Sequence, residues 1–296
     1  MHRFRAWTVA AALLSSSAFV AARQGAGPAD LPALLERVGT QVEQYYARAR
    51  TVLCTETVEL QPLDLDWTPK GFARRIVDEL QVEWNPAADG AAERARVQRR
   101  ILSVNGRPPR AGDKNDDAAC MDPRTVSPEP LEFLLPSQRA GYTFTWAGTG
   151  RVDGRDVVKI DYRPARSKPA SVVWNGDCVS VDVPNLERGR VWVDPASGDV
   201  LRLDQYLDGR FEVDVPRKQQ HGDGPTWMEI ERADSSIQYK PVPFHDPDET
   251  LMLPASIDSI QIIRNAGVPR LRTWQAFTDY RRFLTSGQLV KPPVSR

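Results

Sequence analysis

"GRVWVDPASGDVLRLD", Gly189 to Asp204, is the stretch whose reading decides the fold. Arg190, Trp192 and Asp194 alternate with Val191 and Val193, the period of two that a β-strand imposes. Pro195 fixes φ at the start of a turn and Gly198 tolerates a positive φ near its end. Asp194 is a residue type favoured at the first turn position, where its carboxylate can accept a turn N–H. Alternation then returns, with Leu201, Leu203 and Leu207 on one side. Three aspartates in sixteen residues also suit a metal loop or an acid catalyst, but no further ligand converges on them in the sequence. A β-hairpin accounts for every residue.

The same grammar runs through most of the chain. "TVLCTETVEL" puts Val52, Cys54, Val58 and Leu60 on one side. "RIVDELQVEW" sets Ile76, Leu80, Val82 and Trp84 against Val77, Glu79, Gln81 and Glu83. Asn105-Gly106 and Asp153-Gly154 are strong hairpin turns. "SVVWNGDCVSVDV", "QYLDGRFEVDVP", "TWMEIERADSSIQYKPV", "ETLMLPASIDSIQII" and "LRTWQAFTDYRRF" continue the pattern, which predicts one large antiparallel meander. Helical spacing is clear once: after Asp30, a good N-cap, Leu31, Leu34, Leu35, Val38, Val42, Tyr45 and Ala49 form one apolar face. A helix packed on a sheet is the ordinary use of such a face; a lid or partner helix is the functional one. Residues 108–128 read as a long loop, and "PEPLEFLLPSQ" as a short helix begun after Pro128 and stopped by Pro136. The expected fold class is mainly β: a large curved antiparallel sheet or half-open barrel, with an N-terminal amphipathic helix and one or two short helices. The expected organisation is a single domain over residues 30–290, after a flexible 23–29 and before a disordered 291–296.

The N-terminus predicts export. Arg3 and Arg5 precede an apolar, small-residue run to Ala22, with Val20 and Ala22 at the −3 and −1 positions of a cleavage site. A cleaved signal peptide over residues 1–22, and hence a periplasmic or secreted chain, is the expectation; an uncleaved membrane anchor is the alternative. Cleavage removes two of the 39 Lys+Arg and none of the 39 Asp+Glu, leaving a slight acidic excess. Near-neutral charge without a basic block argues against nucleic acid as a partner. An oxidising compartment permits one disulfide among the three cysteines. Cys120 and Cys178 lie in polar, loop-like contexts and are the expected pair, with Cys54 a buried thiol on a strand.

Signals of catalysis are weak. His221 and His245 are the only histidines after residue 22, and H-E-x-x-H is absent. "HDPDE", residues 245–249, offers a possible metal or acid cluster but also reads as a solvated acidic loop. "DKNDDAACMDPR" opens like a calcium loop, yet has Ala118 where Gly is needed and Arg124 where a bidentate Glu is needed. There is no G-x-S-x-G, S-x-x-K, P-loop or dinucleotide fingerprint. No catalytic residue, cofactor or metal is expected. What remains is aromatic and apolar. Tyr142, Phe144 and Trp146 share one strand face; with Leu80, Val82, Trp84 and Trp192 they are the candidate lining of an apolar binding face, core packing being the alternative.

The hairpin at 189–204, with the N-terminal amphipathic helix and the meander, resembles the LolA/LolB-type lipoprotein carriers, whose superfamily includes outer-membrane lipoprotein-sorting proteins and RseB-like envelope sensors. The resemblance covers about sixteen residues plus general architecture. It implies a curved, half-open barrel whose concave side is closed by helices and holds acyl chains. It transfers no lipid-contacting residue position by position, and the chain departs from a minimal carrier in its length and its three cysteines. The implied function is an exported, non-enzymatic envelope protein that binds a lipid acyl chain or a lipoprotein segment. An envelope sensor or scaffold with a protein partner is the alternative, and a hydrolase with a spatially assembled site the second.

Overall fold

The computed structural model describes residues 27, 30–49, 52–85, 94–110, 130–166, 171–175, 178–182, 187–220, 224–245, 248–265 and 270–282, with the side chains of 82–85, 94–97, 171–175, 178–182, 187 and 219 outside that description. One helix, α1 (Leu31–Ala49), precedes the strands. These are β1 (Val52–Leu63), β2 (Arg74–Asn85), β3 (Arg94–Val104), β4 (Tyr142–Val152), β5 (Arg155–Pro164), β6 (Ser171–Asn175), β7 (Cys178–Asp182), β8 (Glu187–Val193), β9 (Val200–Leu207), β10 (Phe211–Asp214), β11 (Trp227–His245), β12 (Asp248–Arg264) and β13 (Arg270–Arg282). Eleven of them form one open antiparallel sheet, ordered β3-β2-β1-β13-β12-β11-β9-β8-β5-β4, with β10 paired to β11. The first described strand is therefore joined to the last, Val58 opposite Gln275, and that pairing places β1 and β13 side by side in mid-sheet. β6 and β7 pair only with each other, a separate two-stranded sheet that departs from the single meander read in the sequence. The short helix expected at 128–136 is a 3-10 turn of three residues, Glu132–Leu134, because Pro136 follows before an α-helical turn can close.

The sheet has two unlike faces. α1 lies on one of them and buries Leu34, Leu35, Val38, Val42, Tyr45, Tyr46 and Ala49. Against these pack Cys54, Leu80, Val158, Ile160, Val191, Val193, Leu203, Ile237, Ile257 and Phe277, all at alternate strand positions. Leu131, Phe133, Leu134 and Leu135 complete the same core from the 3-10 segment. Each fully buried aliphatic side chain contributes about 1.5–3 kcal/mol, so this face carries most of the stabilisation. Asp30 directs its carboxylate backward, accepting the Gly27 N–H at 3.1 Å.

The hairpin that decides the fold also docks the helix. Asp194 N–H bonds to Asp199 O and Gly198 N–H to Asp194 O, both at 2.9 Å, closing the turn. Gly198 has φ +81°, and a Cβ there would stand 3.2 Å from the Arg37 backbone. Arg37 in turn donates to Pro195 O at 3.1 Å. Gly39 lets the helix approach the 3-10 segment, where a Cβ would meet Leu134 O and Pro136 at 3.2 Å.

A buried ion pair interrupts the apolar face. Glu56 shares the strand side of Cys54 and Val58 and its side chain is 0% exposed. Arg99 donates to both its carboxylate oxygens, at 2.6 and 3.2 Å, and Gln275 adds a third bond at 2.7 Å. Breaking such a pair leaves an uncompensated buried charge and costs about 3–5 kcal/mol. Arg99→Met should lose stability of that order in urea unfolding, and Glu56→Gln with Arg99→Met should recover most of it. Equal losses in the single and double variants would show that the charge is not held by this pair.

Gly189 is the tightest contact. An added Cβ would stand 2.1 Å from the Asp204 carbonyl oxygen and 2.7 Å from the Tyr162 ring, and the backbone atom cannot move aside. Gly189→Ala should cost about 1–3 kcal/mol. Gly150→Ala, where the nearest atom is the flexible Lys159 Cε at 2.6 Å, should cost distinctly less. Equal effects on the thermal midpoint would contradict this.

Candidate functional site

On the helix face a cleft opens between α1 and strands β9, β11 and β12. It is a cleft of about 290 Å³, open to solvent on one side. Val42 and Tyr45 from α1 face Val200, Leu251 and Met252 from the sheet, with Leu131 closing the inner end. Gln41, Gln44, Arg48, Arg155 and Asp199 supply the polar part of the lining. A cleft lined about equally by apolar and polar groups fits an amphipathic ligand, with an apolar part to bury and a polar end. Two ion pairs fasten α1 to its surroundings, each joining an exposed partner on the helix to a largely buried one: Arg48 to Glu249 at 3.5 Å, and Glu36 to Arg139. Such pairs are worth about 0–1 kcal/mol each, so lifting the helix edge is opposed mainly by apolar contact.

The sequence-derived candidates are distributed unevenly. Leu80 is 2% exposed and belongs to the core. Tyr142, Phe144 and Trp146 are half-buried on the helix face, while Thr143 and Thr145 on the other side of β4 are exposed. Phe133 covers two of them, its ring centroid 5.5 Å from Tyr142 and 6.3 Å from Phe144, and it stacks on Tyr162 at 4.0 Å. These aromatics adjoin the filled part of the core rather than the cleft. Trp192 requires a correction: it lies on the opposite face from Val191 and Val193, which are both 0% exposed, because its strand parity points it away from α1. Val82 and Trp84 lie in β2 and Cys178 in β7, with side chains outside the described residues; Cys120 lies wholly outside them. Cys54 is buried at 3% exposure. In the "HDPDE" stretch, Glu249 pairs with Arg48 and Arg282. Among the described residues no three His, Cys, Asp or Glu side chains are grouped to hold a metal ion. Among them, too, no helix is long and apolar enough to cross a membrane.

The far face is built from charge. Arg190 pairs with Asp161 through two bonds of 2.6 and 3.0 Å. Arg202 donates to Asp204 at 2.8 Å, Arg232 to Asp234, and Arg272 to both oxygens of Asp258 at 3.0 and 2.6 Å. These pairs cross six adjacent strands, from β5 to β13. Trp192 donates from Nε1 to Asp204 at 3.0 Å, with Lys159 4.7 Å from its ring centroid. Two of the pairs were visible as "RLD" (202–204) and "RAD" (232–234), since positions two apart share a strand face.

Asp194 joins the two features. Burial alone would raise its carboxyl pKa, but N–H bonds from Ala196 and Ser197 and a 2.5 Å bond from Arg155 outweigh it and hold the group below the ordinary aspartate range. A carboxylate with a depressed folded pKa stabilises the fold above its unfolded value, and that contribution is lost as pH falls through the folded value. Asp194→Asn should therefore flatten the acid limb of the stability curve and leave the limb above neutrality unchanged. An unchanged acid limb would assign that loss to other carboxylates.

Comparison with known proteins gives similarity in architecture only. No family model matches the chain, and no curated protein matches its sequence. A domain from Vibrio parahaemolyticus provisionally assigned as an outer membrane lipoprotein-sorting protein is 11% identical, with 86% of this chain and 92% of that one covered and a TM-score of 0.41. A DUF1329 family protein from Desulfovibrio piger is 10% identical over 88% and 95% of the two chains, with a TM-score of 0.40. A LolA superfamily protein from Nitrosomonas europaea is 7% identical over 84% and 93%, with a TM-score of 0.38.

Proposed function

We propose that this chain is an exported, non-enzymatic envelope protein that holds an acyl chain, of a lipid or of a lipoprotein segment, between α1 and the sheet. The observation that carries the reading is the cleft beside Val42, Tyr45, Leu251 and Met252, which continues the apolar core to the surface. Burial of an acyl chain there gains about 0.8 kcal/mol per methylene and needs no reacting group. The polar residues in the lining, Gln41, Gln44 and Arg48 among them, suit a head group left in water. At about 290 Å³ the cleft is at the small end of ligand sites, about 300–1,000 Å³, so a long chain requires α1 to lift from β11 and β12. The weak ionic fastening of the helix is compatible with that movement. The single disulfide, Cys120 with Cys178, and the cleaved signal peptide belong to the same proposal, since both follow from export.

Protein expressed into a bacterial periplasm and purified without detergent should show, by native mass spectrometry, an extra mass matching an acyl lipid recoverable by organic extraction. Gln41→Trp, which fills the cleft from a half-buried position on the helix, should remove that mass while leaving the circular dichroism spectrum unchanged. A bare polypeptide mass that stays bare after incubation with phospholipid vesicles contradicts acyl binding. Retention of full lipid occupancy by Gln41→Trp places the lipid elsewhere.

A further inference from the structure

The far face carries a second hollow that the acyl-chain reading does not use. It has a volume of about 520 Å³, within the range of small-molecule sites. Its lining combines two aromatic side chains, Trp67 and Tyr206, with the three Arg–Asp pairs of β9, β11, β12 and β13 and the hydroxyl residues Ser235, Ser236 and Ser259. Trp67 reaches it from the loop between β1 and β2. That loop is closed by Asp64 N–H to Thr68 O at 2.9 Å and Trp67 N–H to Asp64 O at 3.0 Å. Asp66 accepts the Thr68 N–H and hydroxyl at 3.1 and 2.7 Å. Trp67 itself sits at φ +68°, a left-handed conformation that a bulky residue adopts at a cost, and its ring lies 4.9 Å from the Arg232 guanidinium. The indole remains 47% exposed and Tyr206 41% exposed, so neither aromatic is spent on core packing.

We propose that this hollow binds a neutral oligosaccharide. A sugar ring offers a flat face of C–H groups and an edge of hydroxyls that both donate and accept. The exposed indole and phenol faces supply apolar platforms for the first. The Arg–Asp pairs supply paired donors and acceptors for the second: each guanidinium keeps N–H groups beyond those its aspartate takes, and each carboxylate keeps lone pairs. Each arginine is matched by an aspartate, so the lining has no net positive charge to attract a carboxylated or phosphorylated chain. An acyl chain is excluded because it would strip water from six charged groups without replacing a hydrogen bond. A peptide strand has no open edge to pair with there, since β9, β11, β12 and β13 are hydrogen-bonded to neighbours on both sides.

The test is a fluorescence and calorimetric titration of the full protein with maltohexaose, cellohexaose and N-acetylchitohexaose, and with hexagalacturonate as the acidic counterpart. At least one of the neutral hexamers should shift tryptophan emission saturably, with dissociation constants of micromolar to about millimolar size. Trp67→Ala should weaken that binding at least about tenfold, with Tyr206→Ala weakening it as well. Both side chains are exposed enough to be replaced without unfolding the sheet, and Gln41→Trp on the other face should leave sugar binding unchanged. No saturable binding of any neutral hexamer up to about 10 mM overturns the proposal. So does binding of hexagalacturonate alone, or binding that survives both aromatic substitutions. Loss of lipid binding in Gln41→Trp with sugar binding intact, and loss of sugar binding in Trp67→Ala with lipid binding intact, separate the fate of this site from that of the cleft.

Discussion

The burial of one stripe of α1 on one face of an open sheet is the interaction on which the rest of the structure depends. A sheet of eleven strands that does not close has two faces to account for, and only the α1 side is apolar enough to form a core. The helix cannot make this contact by itself. It is received by the 194–199 turn, where Gly198 admits the Arg37 backbone, and by the 3-10 segment, where Gly39 admits Leu134 and Pro136. The turn's own rigidity comes from Asp194, which accepts backbone N–H groups within the turn and a charge-assisted bond from Arg155 on the neighbouring β5. Chain reversal and helix docking are therefore one device.

The same division explains why two such different surfaces share a sheet. Strand alternation sends Val191 and Leu203 toward α1 and Arg190, Arg202 and Asp204 away from it. On the far face no second layer of described residues covers the strands broadly, and opposite charges paired along a strand or across to its neighbour are what such a surface can hold, each cross-strand pair contributing about 0.2–1 kcal/mol. The helix side is organised by area and the far side by hydrogen-bond geometry. A mixed cleft beside the helix and a hollow lined by Arg–Asp pairs and aromatics on the opposite face follow from that contrast.

Much of this was legible in the sequence. The hairpin, α1 and most strands came from periodicity and turn chemistry, because both are local. What periodicity could not supply was the identity of each face. Trp192 was grouped with Tyr142, Phe144 and Trp146 on aromatic character, whereas its neighbours Val191 and Val193 take the helix side and turn it outward. Glu56, between Cys54 and Val58, reads in the sequence only as an interruption of an apolar strand face, because its partners Arg99 and Gln275 are 43 and 219 residues away. The pairing of β1 with β13 is equally non-local. The "RLD" and "RAD" pairs were a local signal, but their meaning depends on a third pair, Arg272 with Asp258, that only the strand order brings beside them.

The most direct measurement of whether α1 covers a lipid site is photocrosslinking with a diazirine-bearing fatty acid, followed by mapping of the labelled residues. If the cleft is the site, label is expected on Val42, Tyr45, Leu251 and Met252 and should be competed away by unlabelled fatty acid. Label concentrated on Trp67, Tyr206 and the arginines of the far face, or scattered without competition, would contradict it.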